Sequence, residues 1–289
     1  LISSFVLLNK AAGISSFKAM YQLKKDTDTR KVGHCGTLDP FADGLLMALT
    51  GRITKFIPYM SDMPKTYTAT MRFGEETATL DTEGEIINSG NPVPDLQQIM
   101  KAAESFHGEM MQVPPDFSAV HVDGKRAYKL ARKGRELDIP PKKITVYSFE
   151  ILSYDAPDLV FRVSCSGGTY IRAMARDIAA MCGTVGYLTA LRRNSIGGFS
   201  ADGIEPGSYR LIPADEGMRL CGFVTKVVPD STAQLLKEGR EFAGPFRKEV
   251  SLFAEEGKLI ALFDAAGNFC AMVGRKKGRP YYAFAAGVR

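Results

Sequence analysis

The chain has 289 residues, 45% hydrophobic and 24% charged, with 37 basic against 32 acidic side chains and a formal net charge of +5. Such a composition excludes collagen-like, coiled-coil and disordered chains. At this length a single core is near its usual limit, so one large unit and one small one are expected.

Residues 4–8 form a short apolar run ending at Asn9 and Gly13, which predicts a strand and then a turn. Ser15 and Ser16 offer an N-cap for a helix with Phe17, Met20, Tyr21 and Leu23 at helical spacing. Residues 40–49 read as a second helix, with Asp39 at its N-cap and Pro40 at its first position. Residues 65–73 alternate strictly, with Tyr67, Ala69, Met71 and Phe73 on one face, as in a half-buried strand. A Pro-rich entry from Asn91 leads into a helical pattern reaching Glu109. Residues 144–154 and 159–164 read as strands joined by a turn at 155–158, and residues 169–182 as a helix stopped by Gly183. The elements mix without regular βαβα alternation, which predicts an α+β or mixed α/β fold. Beyond Gly222, short apolar runs at 249–253, 258–263, 269–273 and 281–284, separated by turn residues, predict a small β-barrel or β-sandwich.

The net charge is unevenly placed. Residues 121–148 carry Lys125, Arg126, Lys129, Arg132, Lys133, Arg135, Lys142 and Lys143 against Asp123, Glu136 and Asp138. The stretch from Ala271 adds Arg275, Lys276, Lys277, Arg279 and Arg289 with no acid. Two concentrated basic patches suit a polyanionic partner, although solvated surface runs would read the same way. Cys35, Cys165, Cys182, Cys221 and Cys270 form no C-x-x-C pair, and the three histidines lack ligand spacing, so free thiols, a cytoplasmic setting and no metal are expected. Residues 1–8 lack a basic leader and no apolar run approaches membrane-spanning length, so neither a signal peptide nor a membrane span is expected. Leu1 in place of Met puts the expected natural start upstream. No phosphate-binding glycine loop or nucleophile elbow is present, so no nucleotide cofactor is expected.

The most distinctive run is residues 33–46, GHCGTLDPFADGLL, which sets Asp39 at the end of a Gly-rich loop. Locally Asp39 reads equally as a helix cap or as a catalytic carboxylate, since a helix N-terminus would favour negative charge there. Together with VLLNKAAGISS at 6–16 and KTY at 65–67, this run resembles the TruB family of tRNA pseudouridine synthases. Further matches follow in family order: GRITK at 51–55, TLDTEG at 79–84, VPPDFSA at 113–119, DGKRAY at 123–128, CSGGTYIR at 165–172 and LRR at 191–193. The resemblance covers most of the first 200 residues. Ala11 stands where the family usually has proline, Ala78 where it has aspartate, and Cys35 where it has threonine or glycine.

The resemblance implies an α+β fold with a mixed or antiparallel central sheet, flanking helices and a thumb insertion at about 112–140. A catalytic domain would span 1–222, and a C-terminal β-rich PUA-like domain 223–289. It implies isomerisation of uridine 55 in the tRNA T-loop, with that base flipped out, no cofactor, and Asp39 as the catalytic carboxylate. Arg172 would ion-pair with Asp39, and Tyr67 would stack on the uracil and serve in proton transfer. Tyr170 and Leu191 would complete the base pocket, His34 would fill the space the everted nucleotides leave, and Asp81 would help hold them. Lys129, Arg132 and Lys133, beside Tyr128, would face phosphates, as would Lys276. Lys10 and Lys55 would be framework or phosphate-side residues. The implied partner is the tRNA T-arm, bound by a monomer without membrane or metal. The alternatives are a tRNA-folding protein with incidental catalysis and a guide-RNA-dependent synthase.

Overall fold

The computed structural model describes residues 3–26, 29, 31–122, 124–134 and 137–286. Asp123, Arg135, Glu136 and Arg289 of the two basic stretches lie outside the described residues. In chain order the first half comprises β1 (Ser4–Lys10), α1 (Ser16–Asp26), β2 (Val32–His34), β3 (Asp43–Thr50), a 3-10 segment (Gly51–Met60), β4 (Lys65–Phe73), β5 (Glu76–Thr77), β6 (Ile86–Asn88), α2 (Leu96–Ala103) and β7 (Gly108–Gln112). There follow β8 (His121–Val122), β9 (Lys125–Arg126), α3 (Ala127–Ala131), β10 (Lys142–Asp155), β11 (Asp158–Cys165), α4 (Ile171–Met181), β12 (Gly186–Ile196), β13 (Phe199–Ser200), β14 (Tyr209–Pro213) and α5 (Ala214–Leu220). The last stretch holds β15 (Val224–Val227), α6 (Asp230–Glu238), α7 (Gly244–Phe253), β16 (Leu259–Phe263), β17 (Phe269–Lys276) and β18 (Arg279–Ala285).

The fold is α+β, built on a large mixed sheet of order β14-β1-β3-β12-β4-β11-β10-β7, with β13 added on β12 and β2 on β3. Its pairs are antiparallel except β3 with β12, which run parallel. The strict alternation of β4 appears as alternating buried and half-buried positions. Its buried face packs with Leu188 and Leu191 of β12 against Met174, Ala175, Ile178 and Ala179 of α4 in one apolar cluster. Each fully buried aliphatic side chain there contributes about 2 kcal/mol of apolar burial.

The predicted helix at 40–49 is instead strand β3, preceded by a loop. Its apolar run is buried on both faces: Leu46 and Ala48 meet Met20 and Leu23 of α1, while Leu45, Met47 and Leu49 meet the 3-10 segment. A strand covered on both faces loses the period-2 signal and imitates a buried helix. Gly44, at φ +97°, is incompatible with a helix there, and a Cβ on it would collide with the Arg193 carbonyl. Asp39 therefore caps no helix. The helical pattern ending at Glu109 also shortens: α2 stops at Ala103, and Gly108–Gln112 is an edge strand on β10.

The predicted small barrel is an open four-stranded sheet, β15-β16-β17-β18, accompanied by α6 and α7. The predicted strand at 249–253 is the end of α7, whose Pro245 occupies a first-turn position and whose Phe246 and Val250 bury one helical stripe. The small sheet shares a core with the large one: Phe263, Phe269 and Met272 join Phe5, Leu7 and Phe56 in one cluster. Phe56 meets Phe223 edge-on at 4.7 Å between centroids. No helix among the described residues is long and apolar enough to cross a membrane.

Candidate active site

The loop between β2 and β3 carries Asp39 and has little regular structure, so its shape comes from side chains that satisfy its backbone. The Ser16 hydroxyl accepts from the Leu38 N–H at 2.9 Å and donates to the Leu38 carbonyl at 2.8 Å. Lys10 Nζ donates to the Pro40 carbonyl at 3.1 Å and to the carbonyls of Ala11 and Ile14. The fully buried Arg193 of β12 donates Nε to the Leu45 carbonyl at 2.7 Å, Nη2 to Gly36 at 3.2 Å and Nη1 to Thr37 at 3.4 Å. Buried cations ordinarily seek carboxylates; Lys10 of β1 and Arg193 of β12 spend their donors on backbone carbonyls instead, which fixes residues 36–40 from two sides. Burial lowers the Lys10 ammonium to about 8, against the attraction of Asp43 and Asp39.

Arg172, in the first turn of α4, gathers the remaining walls. Its Nε donates to Asp39 Oδ2 at 2.9 Å, Nη1 to the Thr79 carbonyl at 2.8 Å, and Nη2 to the Phe117 carbonyl at 3.0 Å. Nη1 also lies 3.4 Å from Asp81 Oδ2. The guanidinium is 6% exposed and Asp81 3%, whereas Asp39 keeps 33% of its side-chain surface open. Asp81 Oδ1 in turn accepts from the Thr79 hydroxyl and, at 3.0 Å, from the Glu83 N–H. Asp39 Oδ1 accepts no hydrogen bond from the described residues, so one carboxylate oxygen is anchored and the other is available.

Asp39, Asp81, Arg172, Tyr67, Tyr170 and Leu191 line a single open cleft of about 900 Å³. Tyr67, opposite Arg193 in the β4–β12 register, is buried, and burial holds its phenol above the ordinary range while Arg193 opposes the shift. Burial likewise raises Tyr170. Glu83 also lines the cleft and is raised first by burial and then by the charges of Asp81 and Asp39. The basic segment reaches the cleft through Arg126, Tyr128 and Arg132, the Arg132 guanidinium lying 5.6 Å from the Tyr128 ring centroid.

Other expected site residues lie elsewhere. His34 is half-buried on β2, outside the cleft lining, with a buried Nδ1 that has no hydrogen-bond partner among the described residues and a pKa lowered by burial and by Arg193. Lys129 and Lys133 are exposed and stand outside the lining, and Lys276 ends β17 in the small sheet. Lys10 is a framework residue. The sequence assigns no role to Arg193 or Gln112. Gln112, buried at the end of β7, accepts from the Tyr170 N–H at 2.8 Å and donates to the Tyr170 carbonyl at 3.0 Å, fixing the residue that precedes α4 and Arg172. The one signal for both is a polar or charged residue inside an apolar strand pattern. Among the described residues no cluster of three or more His, Cys, Asp or Glu is arranged to hold a metal ion.

Known proteins resemble this chain in sequence and in fold. A family model described as TruB family pseudouridylate synthase (N terminal domain) matches residues 24–171. The tRNA pseudouridine synthase B of Borreliella burgdorferi is 44% identical over 199 residues, covering 68% of this chain and 71% of that protein. The protein of the same name from Neisseria gonorrhoeae is 36% identical over 287 residues, covering 94% and 93%. Among solved structures, a chain of the Cbf5-Nop10-Gar1 complex superposes with a TM-score of 0.63 at 22% identity, over 94% of this chain and 78% of its own, a likeness of fold. The sheet and the matching sequences thus define a pseudouridylate synthase. Within that class the chain belongs to the TruB family.

Proposed function

We propose that this protein isomerises uridine 55 in the T-loop of tRNA to pseudouridine, with Asp39 as the catalytic carboxylate. Relatives covering nearly the whole chain are named tRNA pseudouridine synthase B, which supports tRNA as substrate. The observation that carries the site assignment is the Asp39–Arg172 pair at 2.9 Å on the wall of an open cleft. The reaction breaks the glycosidic C–N bond, turns the uracil and forms a C–C bond, so composition is conserved and no oxidant is consumed. Arg172 holds Oδ2 and leaves Oδ1 free to act on the target nucleoside.

In this reading Tyr67 stacks on the flipped uracil and exchanges protons with it, while Tyr170 and Leu191 close the pocket. Asp81 acts through Arg172 and helps hold the everted nucleotide, and His34 fills the space the nucleotides vacate. Lys129, Arg132, Lys133 and Lys276 pair with phosphates. The domains divide at 222/223, residues 112–140 forming an RNA-closing thumb and residues 223–289 a PUA-like unit. The enzyme works as a monomer in the cytoplasm. The test is conversion of an unmodified T-arm transcript, without guide RNA, read by carbodiimide-dependent primer stops. Wild type is expected to convert it, and Asp39→Asn to lose conversion while binding RNA within about tenfold of wild type, since phosphate contacts dominate affinity. Absence of conversion by wild type refutes the function, and substantial turnover by Asp39→Asn refutes the assignment.

A further inference from the structure

Helix α1 buries Met20 and Leu23 against β1 and β3, yet two large aromatics stand on its outer side: Phe17 is 70% exposed and Tyr21 69%. They are spaced four residues apart, so they share one stripe, which Lys24 extends. The Lys24 ammonium lies 4.7 Å from the Phe17 ring centroid. Lys18 and Lys25 are exposed on the same helix, and its acid, Asp26, is engaged by the Gln22 amide and the Tyr209 hydroxyl. Scattered exposed apolar residues need no explanation, but a ring pair flanked by three lysines has the composition of a surface that stacks bases and pairs with phosphates.

The placement of α1 relative to the cleft is set by its first turn. Ser15 caps it, its hydroxyl accepting from the Lys18 N–H at 3.2 Å, and Ser16 makes both bonds to Leu38, the residue before Asp39. Phe17 therefore follows directly on a residue bonded to the catalytic loop, and the helix extends about 16 Å from there. No residue of α1 lines the cleft itself, so a nucleotide meeting this stripe would lie outside the target pocket.

We propose that the outer face of α1, with Phe17 and Tyr21 as rings and Lys18, Lys24 and Lys25 as cations, is an RNA-docking surface that stacks a base of the substrate outside the target nucleotide. The proposal rests on the RNA-modifying function above. Its positive charge complements phosphate.

The chain contains no tryptophan, so Phe17→Trp installs a single reporter at the proposed stacking position. Titration with a T-arm hairpin is expected to quench the indole emission. Phe17→Ala combined with Tyr21→Ala is expected to weaken hairpin binding about tenfold or more, and Lys18→Ala with Lys25→Ala to lower the salt dependence of binding. Both rings are exposed, so native folding is expected, checked by circular dichroism. If wild type binds and converts the hairpin but the indole emission is unmoved and the double aromatic variant binds as tightly as wild type, the docking surface is overturned while the function stands. If the double variant instead dissolves a wild-type dimer in sedimentation velocity without altering RNA affinity, the face belongs to a second copy and the proposal is overturned. If wild type neither binds nor converts the hairpin, both fall.

Discussion

On the body side of the cleft the charges are few, buried and shared. Arg172 bonds to Asp39 and to two carbonyls and lies beside Asp81, while Arg193 and Lys10 spend their donors on backbone carbonyls in and around the loop carrying Asp39. On the side of residues 112–140 the cations are many and stand in solvent: Lys129, Arg132 and Lys133 are exposed on and just after α3. A buried charge with several fixed partners positions an atom, and its loss leaves those partners unsatisfied. An exposed cation makes a screened, replaceable contact, and its effect depends on salt. On the proposed function, precision in the reaction would rest on the first group and affinity for RNA on the second, and substitutions should separate them.

The sharpest test of the contrast is Arg172→Met, which removes the partner of Asp39, Asp81 and two backbone carbonyls together. Stability is expected to fall by about 3–5 kcal/mol in chemical denaturation, and turnover in the folded fraction to below about one-thousandth, or about 4 kcal/mol in the barrier. Arg172→Lys supplies one point charge where a planar fork serves several acceptors, so it should recover little. If it recovers most of the turnover, the fork geometry is irrelevant and the contrast loses its basis.

Next in size is Gln112→Ala. It strips the Tyr170 backbone N–H and carbonyl of their side-chain partner, a loss of about 1–3 kcal/mol in stability. Turnover should fall about 10–100-fold with the change in kcat rather than KM, because the backbone it holds leads into Arg172. Gln112→Glu keeps the acceptor for the Tyr170 N–H and loses the donor to its carbonyl, and should fall between the two. An Ala variant that loses stability and keeps full kcat would make Gln112 a purely structural residue.

The exposed cations are tested by replacing Lys129, Arg132 and Lys133 together with Ala. RNA affinity at low salt should fall about tenfold or more, and the slope of log affinity against log salt should shrink by about 2, at roughly 0.7–0.9 for each phosphate no longer neutralised. An unchanged slope would separate these cations from RNA.

How much of this is legible in the sequence depends on whether an environment leaves a periodic trace. β4 lies with one face under α4, and its alternation is plain. β3 is covered on both sides, so its Leu-Leu-Met-Ala-Leu run carries no period and imitates a helix. In α7 the apolar residues at its end resemble a strand because Phe246, one turn before Val250, falls outside that short run. Motifs mark Asp39, Arg172 and Asp81, but only the fold shows that they converge. Arg193 and Gln112 escape because they bind backbone groups, which every residue possesses, so a polar side chain in a strand is the only trace they leave. His34, expected among the nucleotides, lies outside the cleft lining because β2 pairs with β3 and carries it there.

The smallest expected effect belongs to the small sheet. Lys276 ends β17 beside the turn at Lys277 and Gly278, whose N–H groups donate to Glu256, at 2.7 Å from Lys277. Arg275 also lies 4.0 Å from that carboxylate, so part of the local positive charge is already offset. Lys276→Ala should therefore weaken RNA binding only about twofold and lower the salt slope by less than about 1. Glu256→Gln supplies the opposite sign: it removes the offsetting charge while keeping one carbonyl acceptor for the turn. If charge at this hairpin is what RNA senses, affinity rises in Glu256→Gln and falls in Lys276→Ala, both effects vanishing at high salt. A fall in both variants would mean that the shape of the turn, rather than its charge, meets the RNA.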